Sequence, residues 1–207
     1  MRYLLGILGR TAEGFEGLDQ MGADILIRVN NSTKMFQGNG FFGNYLLQLG
    51  KTHDIDVVGM IHADIRFAQK HHDMLFAHHA WLHDRLVGVV GKSLGGDIIW
   101  SASPPGDAYS VAPRFVSTLD SCSIFIPKSL FGFSFDTETF DGFHLCVEDF
   151  CLQVEESRGI SPHIPFHGHV THLGEMCATV GIPWMREHMQ YREKFQKKWE
   201  HRSFALT

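Results

Sequence analysis

Three short apolar runs near the start of the chain most constrain its fold. Residues 3–9, 24–29 and 56–64 are largely apolar, and each run ends in polar side chains. A strand that is apolar on both faces is typical of a parallel sheet, because helices then cover the sheet on both sides. Helical periodicity between the runs predicts the order β-α-β-α-β. The pattern therefore predicts an α/β protein with a mostly parallel sheet flanked by helices.

The same periodicities predict the remaining elements. Helices are predicted over residues 11–22, 41–49 with Gly50 as C-cap, 70–86, 148–156 and 185–201, the last amphipathic. Further strands are predicted over 86–90, as a fourth parallel strand, 115–127 and 162–171, and a long loop over 95–113. The predicted inward faces carry Phe42, Tyr45, Leu46 and Leu49; Met74, Leu75, His78, Leu82 and Leu86; Phe150, Cys151 and Val154; and Met185, Met189, Phe195 and Trp199.

Composition narrows the class of protein. With 207 residues and 44% hydrophobic residues, we expect one compact domain over residues 1–207. The net charge of −5 and the lack of a basic run argue against a nucleic-acid partner and favour a small molecule. No apolar run reaches the roughly 18–20 residues that span a bilayer. The 4 cysteines lack metal-site or disulfide-scaffold spacing, so a cytoplasmic location is expected.

Polar residues follow each of the first three predicted strands. They are Gly9-Arg10, Asn30-Asn31 and His62-Ala63-Asp64. Ligands of open α/β sheets bind outside the carboxyl ends of the strands, so these residues are the first candidates for a site. Asn30 and Asn31 could equally be turn formers, because asparagine side chains hydrogen-bond nearby backbone.

His62 and Asp64 are separated by one residue, which places them on the same side of a strand. A hard divalent cation needs oxygen ligands such as a carboxylate, and diphosphate oxygens would complete its coordination shell. The pattern therefore indicates a cation and phosphate site. The alternative is a strand-end histidine followed by an aspartate that starts a turn.

Two later clusters could also carry chemistry. Glu148 and Asp149 begin a predicted helix, where one carboxylate could take a proton from a hydroxyl while its neighbour adjusts the pKa. They could also do no more than interact favourably with the helix dipole. His167, His169 and His172 belong to or follow a late strand, where a metal could be reached.

The order of these clusters resembles family 2-type glycosyltransferases of the GT-A fold, most closely the subgroup related to the streptomycin-biosynthesis StrF domain. His62-Ala63-Asp64 stands where the family usually has Asp-x-Asp. The segment FSFDTETFDGFHLCVEDFCLQV at residues 133–154 and the late Phe-x-x-Lys-Trp at residues 195–199 follow in the same order. The resemblance spans nearly the whole chain and is loose before about residue 40.

The resemblance implies a single GT-A (Rossmann-like) domain with a nucleotide-binding half at residues 1–94 and an acceptor or catalytic half at residues 115–207. It implies that Asp64, with His172, holds Mn²⁺ or Mg²⁺, and that His62 lies nearer the ribose or phosphate. Asp149, beside Glu148, would be the base. Asn30 or Asn31 would touch the nucleotide base, although most relatives have aspartate there, which leaves the base open. Gly9, Arg10 and Asp120 complete the predicted nucleotide-sugar residues.

The sequence thus predicts a metal-dependent glycosyltransferase that moves a sugar from a nucleoside-diphosphate sugar to an acceptor hydroxyl, with inversion. Two alternatives stay open: a non-catalytic sugar-nucleotide-binding protein of the same fold, and a sugar-nucleotidyl transferase. The expected partners are the donor and an acceptor of unknown identity, carbohydrate or otherwise, and the chain could form a homo-oligomer.

Overall fold

A computed structural model describes residues 1–9, 15, 21–67, 71, 73–100, 114–165, 170–172 and 188–204. Its strands are β1 (Tyr3–Gly9), β2 (Ile25–Asn30), β3 (Val57–His62), β4 (Ile65–Phe67), β5 (Val90–Lys92), β6 (Ile98–Trp100), β7 (Arg114–Phe115), β8 (Thr118–Leu119), β9 (Ser123–Pro127), β10 (His163–Ile164) and β11 (Val170–His172). Its helices are α1 (Asn39–Thr52), α2 (Asp73–His83), α3 (Cys146–Arg158) and α4 (residues 188–198). Short 3-10 turns cover Asn31–Thr33 and Lys128–Leu130.

The central sheet has four strands in the order β2-β1-β3-β9. The first three strands are parallel, and β9 runs antiparallel to β3. The predicted α/β class, with mostly parallel strands flanked by helices, is confirmed at this level. Every residue of β1 is buried, as expected for a strand covered on both faces.

Alternation along β1 divides the apolar core between the two faces of the sheet. Leu4 and Leu8 belong to a buried cluster that includes side chains of α1 and α3. Leu5 and Ile7 belong to a second cluster that includes Phe76 of α2. The same strand thus supplies both hydrophobic layers, which is why its sequence is apolar at consecutive positions.

Gly50 lies inside α1, so the prediction that it ends the helix is wrong. A Cβ at this position would lie 2.7 Å from Val58 Cγ2 and 2.9 Å from Phe131 Cε2. The glycine therefore lets α1 approach the sheet closely, and the helix continues until His53 caps it through a bond to Leu49 O. Phe42 and Leu46 are buried as predicted, but Tyr45, predicted inward, is 44% exposed.

The predicted inward face of α2 is also wrong. Met74, Leu75, His78 and Leu82 are exposed, whereas Phe76, Ala77 and Ala80 are fully buried. Of the predicted residues, Leu86, which follows the helix, is buried as predicted. Apolar residues occupy both sides of this helix, so periodicity cannot tell which side faces the sheet. The buried Asp73 carboxylate helps to orient the helix, because it accepts hydrogen bonds from Gly22 N at 3.2 and 3.3 Å.

No fourth parallel strand forms over residues 86–90, so that prediction is wrong. The strand here is β5, which pairs antiparallel with β6 and β8 in a separate three-stranded sheet. Val87 makes only isolated bridges, to Phe125 and to His163. Pairing partners far along the chain therefore determine the role of this apolar run.

Two predicted strands are each divided. Residues 115–127 contain β8 and β9, separated by a turn in which Asp120 Oδ1 accepts from Cys122 N at 2.8 Å. Residues 162–171 contain β10, which pairs with β7, and the start of β11, which pairs with β4. Each division places consecutive segments in different sheets.

At the carboxyl-terminal end, Phe195 of α4 and Trp199 just after the helix are buried as predicted, but Met189 is 47% exposed. The helix predicted over residues 11–22, Met185, and residues 101–113 of the predicted loop lie outside the described residues, except for residues 15, 21 and 22. Within the described part, no helix is long and apolar enough to cross a membrane.

Candidate functional site

Strand register brings the predicted strand-end residues to one edge of the sheet. Gly9 is the register partner of Asn30, and Leu8 is the partner of His62. The next residue, Ala63, donates its N–H to Leu8 O at 3.0 Å. The three carboxyl ends therefore lie side by side, as the sequence predicted, while Arg10 falls outside the described residues.

Gly9 serves a packing purpose at this edge. A Cβ there would lie 2.8 Å from Ala63 Cβ and 3.0 Å from Phe15 Cζ. Any larger side chain would separate the ends of β1 and β3. Gly9 thus keeps the strand ends close and leaves its backbone at the edge.

The two asparagines hold the loop after β2. Asn30 Oδ1 accepts from Ser32 N at 3.0 Å and so caps the following 3-10 turn. The Asn31 amide exchanges two bonds with the backbone of Phe36, at 2.8 and 2.9 Å. These contacts match the turn-forming alternative, and the exposed Asn30 is the one of the pair that a ligand could reach.

Asn39, which the sequence analysis missed, lies at the centre of the edge. It is fully buried, and its Nδ2 lies 3.0 Å from both His62 Nε2 and Phe143 O. Because the carbonyl of Phe143 needs a donor, the amide nitrogen must point this way, and His62 Nε2 accepts. The Gly38-Asn39-Gly40 sequence before an amphipathic run is the signal that could have marked it.

Asn39 connects the starts of two helices with the end of β3. It lies at the start of α1, and its amide contacts both Phe143, which precedes α3, and His62. Gly38 packs against Gly142 so closely that a Cβ would lie 1.9 Å from Gly142 O. Leu145, the residue before α3, has φ of 61°, which is rare for a bulky side chain. The starts of α1 and α3 are therefore held at the same edge as His62 by a tightly constrained backbone.

A short antiparallel ladder brings the backbone of His172 close to that of Asp64. In the β4–β11 pair, His172 is the register partner of Ile65, the residue after Asp64. The backbone thus brings the two predicted metal ligands together, while the side chain of His172 lies outside what the structure describes. Arg66 folds back over this turn and donates to Ala63 O and to Ile65 O.

Asp120 lies in the same region as Asp64. Burial, followed by the charge and hydrogen bond of Asp120 and the charge of Asp64, raises the pKa of the Cys122 thiol. Burial and Arg192 lower the pKa of His188, the first described residue of α4, while Asp120 opposes this shift. His188 in turn lies with its ring 5.4 Å from that of His144.

A divalent cation fits the donor types at this edge. A carboxylate such as that of Asp64 and an imidazole such as that of His172 are donor types that would suit Mn²⁺ or Mg²⁺ if phosphate oxygens completed the shell. Among the side chains that the structure describes, no three His, Cys, Asp or Glu residues gather their donor atoms around one point.

The acidic pair begins α3 as predicted, but Asp149 faces the carboxyl-terminal helix. This carboxylate has 0% exposure and accepts hydrogen bonds from Trp199 Nε1 at 2.9 Å and Gln153 Nε2 at 2.5 Å. Lys198 Nζ lies 2.8 Å from its Oδ1. Burial raises the pKa of Asp149, and the Lys198 ammonium partly opposes that shift. Glu148 beside it is 3% exposed.

Comparison with known proteins does not assign a family. No family model matches the chain, and no curated protein matches it. Among solved structures it is similar to A197 from STIV, with 12% identity, a TM-score of 0.45, and coverage of 82% of this chain and 83% of that chain. The chain is an α/β protein whose mostly parallel sheet carries polar residues along one edge.

Proposed function

We propose that the protein is a metal-dependent glycosyltransferase of the GT-A type, which moves a sugar from a nucleoside-diphosphate sugar to an acceptor hydroxyl with inversion. One observation carries the proposal. Strand register aligns Asn30, Gly9 and His62 at one sheet edge and sets His172 opposite the residue after Asp64. Edges of this kind are where open α/β sheets bind nucleotides.

The donor diphosphate would lie along this edge. Asp64 and His172 would hold Mn²⁺ or Mg²⁺, which as a Lewis acid offsets the charge on the departing diphosphate. The first backbone N–H groups of α1 start beside His62 and favour an anion there. His62, whose Nε2 accepts from Asn39, would lie nearer the ribose or phosphate of the donor.

The base is proposed to come from the Glu148–Asp149 pair, and the contacts of Asp149 argue against Asp149 in that role. Both oxygens of Asp149 already accept hydrogen bonds from α3 and the carboxyl-terminal region, which leaves less capacity to take a hydroxyl proton. We therefore assign proton removal to Glu148 and the positioning of the α3 start to Asp149. This assignment refines the sequence expectation, which favoured Asp149.

Nucleoside diphosphate release tests the proposal. Wild-type protein with Mn²⁺ is incubated with uridine, guanosine and thymidine diphosphate sugars, and the released diphosphate is measured. We expect release from at least one donor. Glu148→Gln should lower that rate by roughly 10²- to 10⁴-fold and leave donor binding unchanged, because only proton transfer is lost.

Glu138→Gln is the matched control, because Glu138 is an exposed glutamate in the turn before α3. It should release diphosphate at the wild-type rate. If Glu148→Gln and Glu138→Gln behave alike, Glu148 is not the base. The base is instead Asp149 if Asp149→Asn lowers the rate and Glu148→Gln does not, provided that Asp149→Asn unfolds at the same urea concentration as wild type.

A non-catalytic sugar-nucleotide-binding protein of the same fold is the second candidate. The observation in its favour is the complete burial of Asp149 in contacts with Lys198, Trp199 and Gln153, which suits a structural carboxylate. Such a protein would bind a donor in calorimetry and release no diphosphate from it.

A further inference from the structure

Three histidines gather outside the sheet edge described above. His79 and His83 lie on α2 and His163 on β10, and we refer to them as the histidine trio. The ring centroids are 5.4 Å apart for His79 and His83, 5.5 Å for His83 and His163, and 6.1 Å for His79 and His163. Neither the proposed donor site nor the proposed base uses any of them.

His163 is the unusual member of the trio. It is 1% exposed, and among the described residues neither of its ring nitrogens has a hydrogen-bond partner. Leaving a buried polar group unsatisfied costs about 1–3 kcal/mol, so such a group calls for an explanation. Its backbone is fixed by bonds to Leu86 O at 3.0 Å and from Gly88 N at 3.3 Å, which hold the ring beside α2.

His79 and His83 are four residues apart on a helix, so their side chains lie on one face. Two histidines at this spacing are a familiar pair of metal ligands on a helix, and a third ligand usually comes from elsewhere in the chain. His79 is half-buried and His83 exposed, so the trio is open to solvent at the His83 side. An ion could enter there and reach His163.

We propose that the histidine trio binds one divalent transition-metal ion of the zinc class, with a water molecule as fourth ligand. Imidazole nitrogen suits Zn²⁺, Ni²⁺ or Cu²⁺ far better than Mg²⁺, so this site differs in chemistry from the carboxylate-containing edge. The described side chains do not yet converge on one point, so the rings must turn. The terminal torsion of histidine is broad, so each ring can turn without leaving its rotamer well.

The surroundings of the trio permit a cation. Arg85 is the nearby positive group, and its guanidinium is engaged with the Phe115 ring at 5.2 Å and with Ser161 O at 3.3 Å. An ion bound by the trio would tie the end of α2 to β10.

Calorimetric titration of zinc into the tag-free, EDTA-treated Asp64→Ala variant tests the site. This variant lacks the carboxylate of the proposed donor site, so zinc cannot bind there through Asp64. Cobalt uptake is followed by visible absorption, which reports the geometry and ligands of the ion. We expect one ion to bind with the absorption of a four-coordinate, nitrogen-ligated cobalt.

The decisive variant is His83→Ala, because His83 is exposed and its removal should leave the fold intact. It should weaken zinc binding by at least about 10- to 100-fold, because the loss of even an outer-sphere partner of a metal ligand costs that much. His78→Ala, another exposed histidine on the same helix, is the matched control and should bind as Asp64→Ala alone does. Equal affinities for the His83 and His78 variants, or no uptake by Asp64→Ala, would overturn the proposal.

Discussion

At the scale of single residues, Lys198 joins three parts of the molecule through one ammonium group. Its Nζ lies 2.8 Å from Asp136 Oδ2 and 2.8 Å from Asp149 Oδ1. It also lies 5.5 Å from the centre of the Phe140 ring. The sequence indicated that Asp149 is an acidic residue at a helix start. It could not show that Lys198 and Trp199 contact this carboxylate, because they lie about fifty residues away in the chain.

Asp136 provides a pH test of this contact. Burial raises the pKa of its carboxyl, but the hydrogen bond of Lys198, bonds from Thr139 and the Lys198 charge outweigh burial and lower the pKa to about 2. A carboxyl whose pKa is lowered in the folded state stabilises the fold at pH values above its unfolded-state pKa, which is near 4. This contribution to stability is lost as the pH falls towards 2.

Urea unfolding of wild type and Asp136→Asn should therefore give a free-energy difference that is largest at pH 5–7 and shrinks between about pH 4 and 2. Glu138→Gln in the same turn is the control. A difference that stays constant down to pH 2 would mean that the Asp136 charge contributes nothing to stability.

At the scale of secondary-structure elements, the sequence predicted the three parallel strands to within about two residues at each end. Each is a short run that is apolar on both faces and ends in polar residues, so local pattern is sufficient. The inward face of α2 was not predictable, because Met74 and Phe76 are both apolar and only the sheet decides which is buried. The antiparallel role of β5 depends on β6 and β8, which local pattern does not reveal.

The orientation of α2 predicts unequal effects of two truncations. Phe76 is fully buried and stacks on Phe125 with ring centres 5.6 Å apart, whereas Leu82 is 59% exposed. Phe76→Ala should lower the free energy of unfolding by about 3–5 kcal/mol, because it leaves a cavity. Leu82→Ala should change it by less than about 0.5 kcal/mol. Similar losses of unfolding free energy for the two variants in urea would contradict this orientation of α2.

The close approach of α1 to the sheet predicts the effect of a single methyl group at Gly50. Gly50→Ala gains up to about 1 kcal/mol of helix propensity, but the new Cβ meets the buried Val58 and Phe131 side chains. Overpacking typically costs about 1–3 kcal/mol, so we expect net destabilisation of about 1–2 kcal/mol in urea unfolding. Gly132→Ala, where nothing lies within 4 Å of the added Cβ, should be neutral. A more stable Gly50→Ala protein would contradict this packing.

At the scale of the whole molecule, the convergence of strand ends was predictable because parallel strands present their carboxyl ends at one edge. The contributions of distant segments were not. Asn39 reaches Phe143, and β11 pairs with β4, across separations of about a hundred residues. Strand register supplies the proximity of Gly9, Asn30 and His62, and it places the backbone of His172 opposite the residue after Asp64.

Calorimetric titration of nucleoside-diphosphate sugars into the protein tests the central claim most directly, namely that this edge binds a donor through a cation held by Asp64. Wild type and the exposed-surface control Glu193→Ala should bind one donor with Mn²⁺ and lose most affinity in EDTA. Asp64→Ala should bind about 100-fold more weakly and no longer respond to Mn²⁺. Wild-type affinity in the Asp64 variant with Mn²⁺ present would contradict the proposed site.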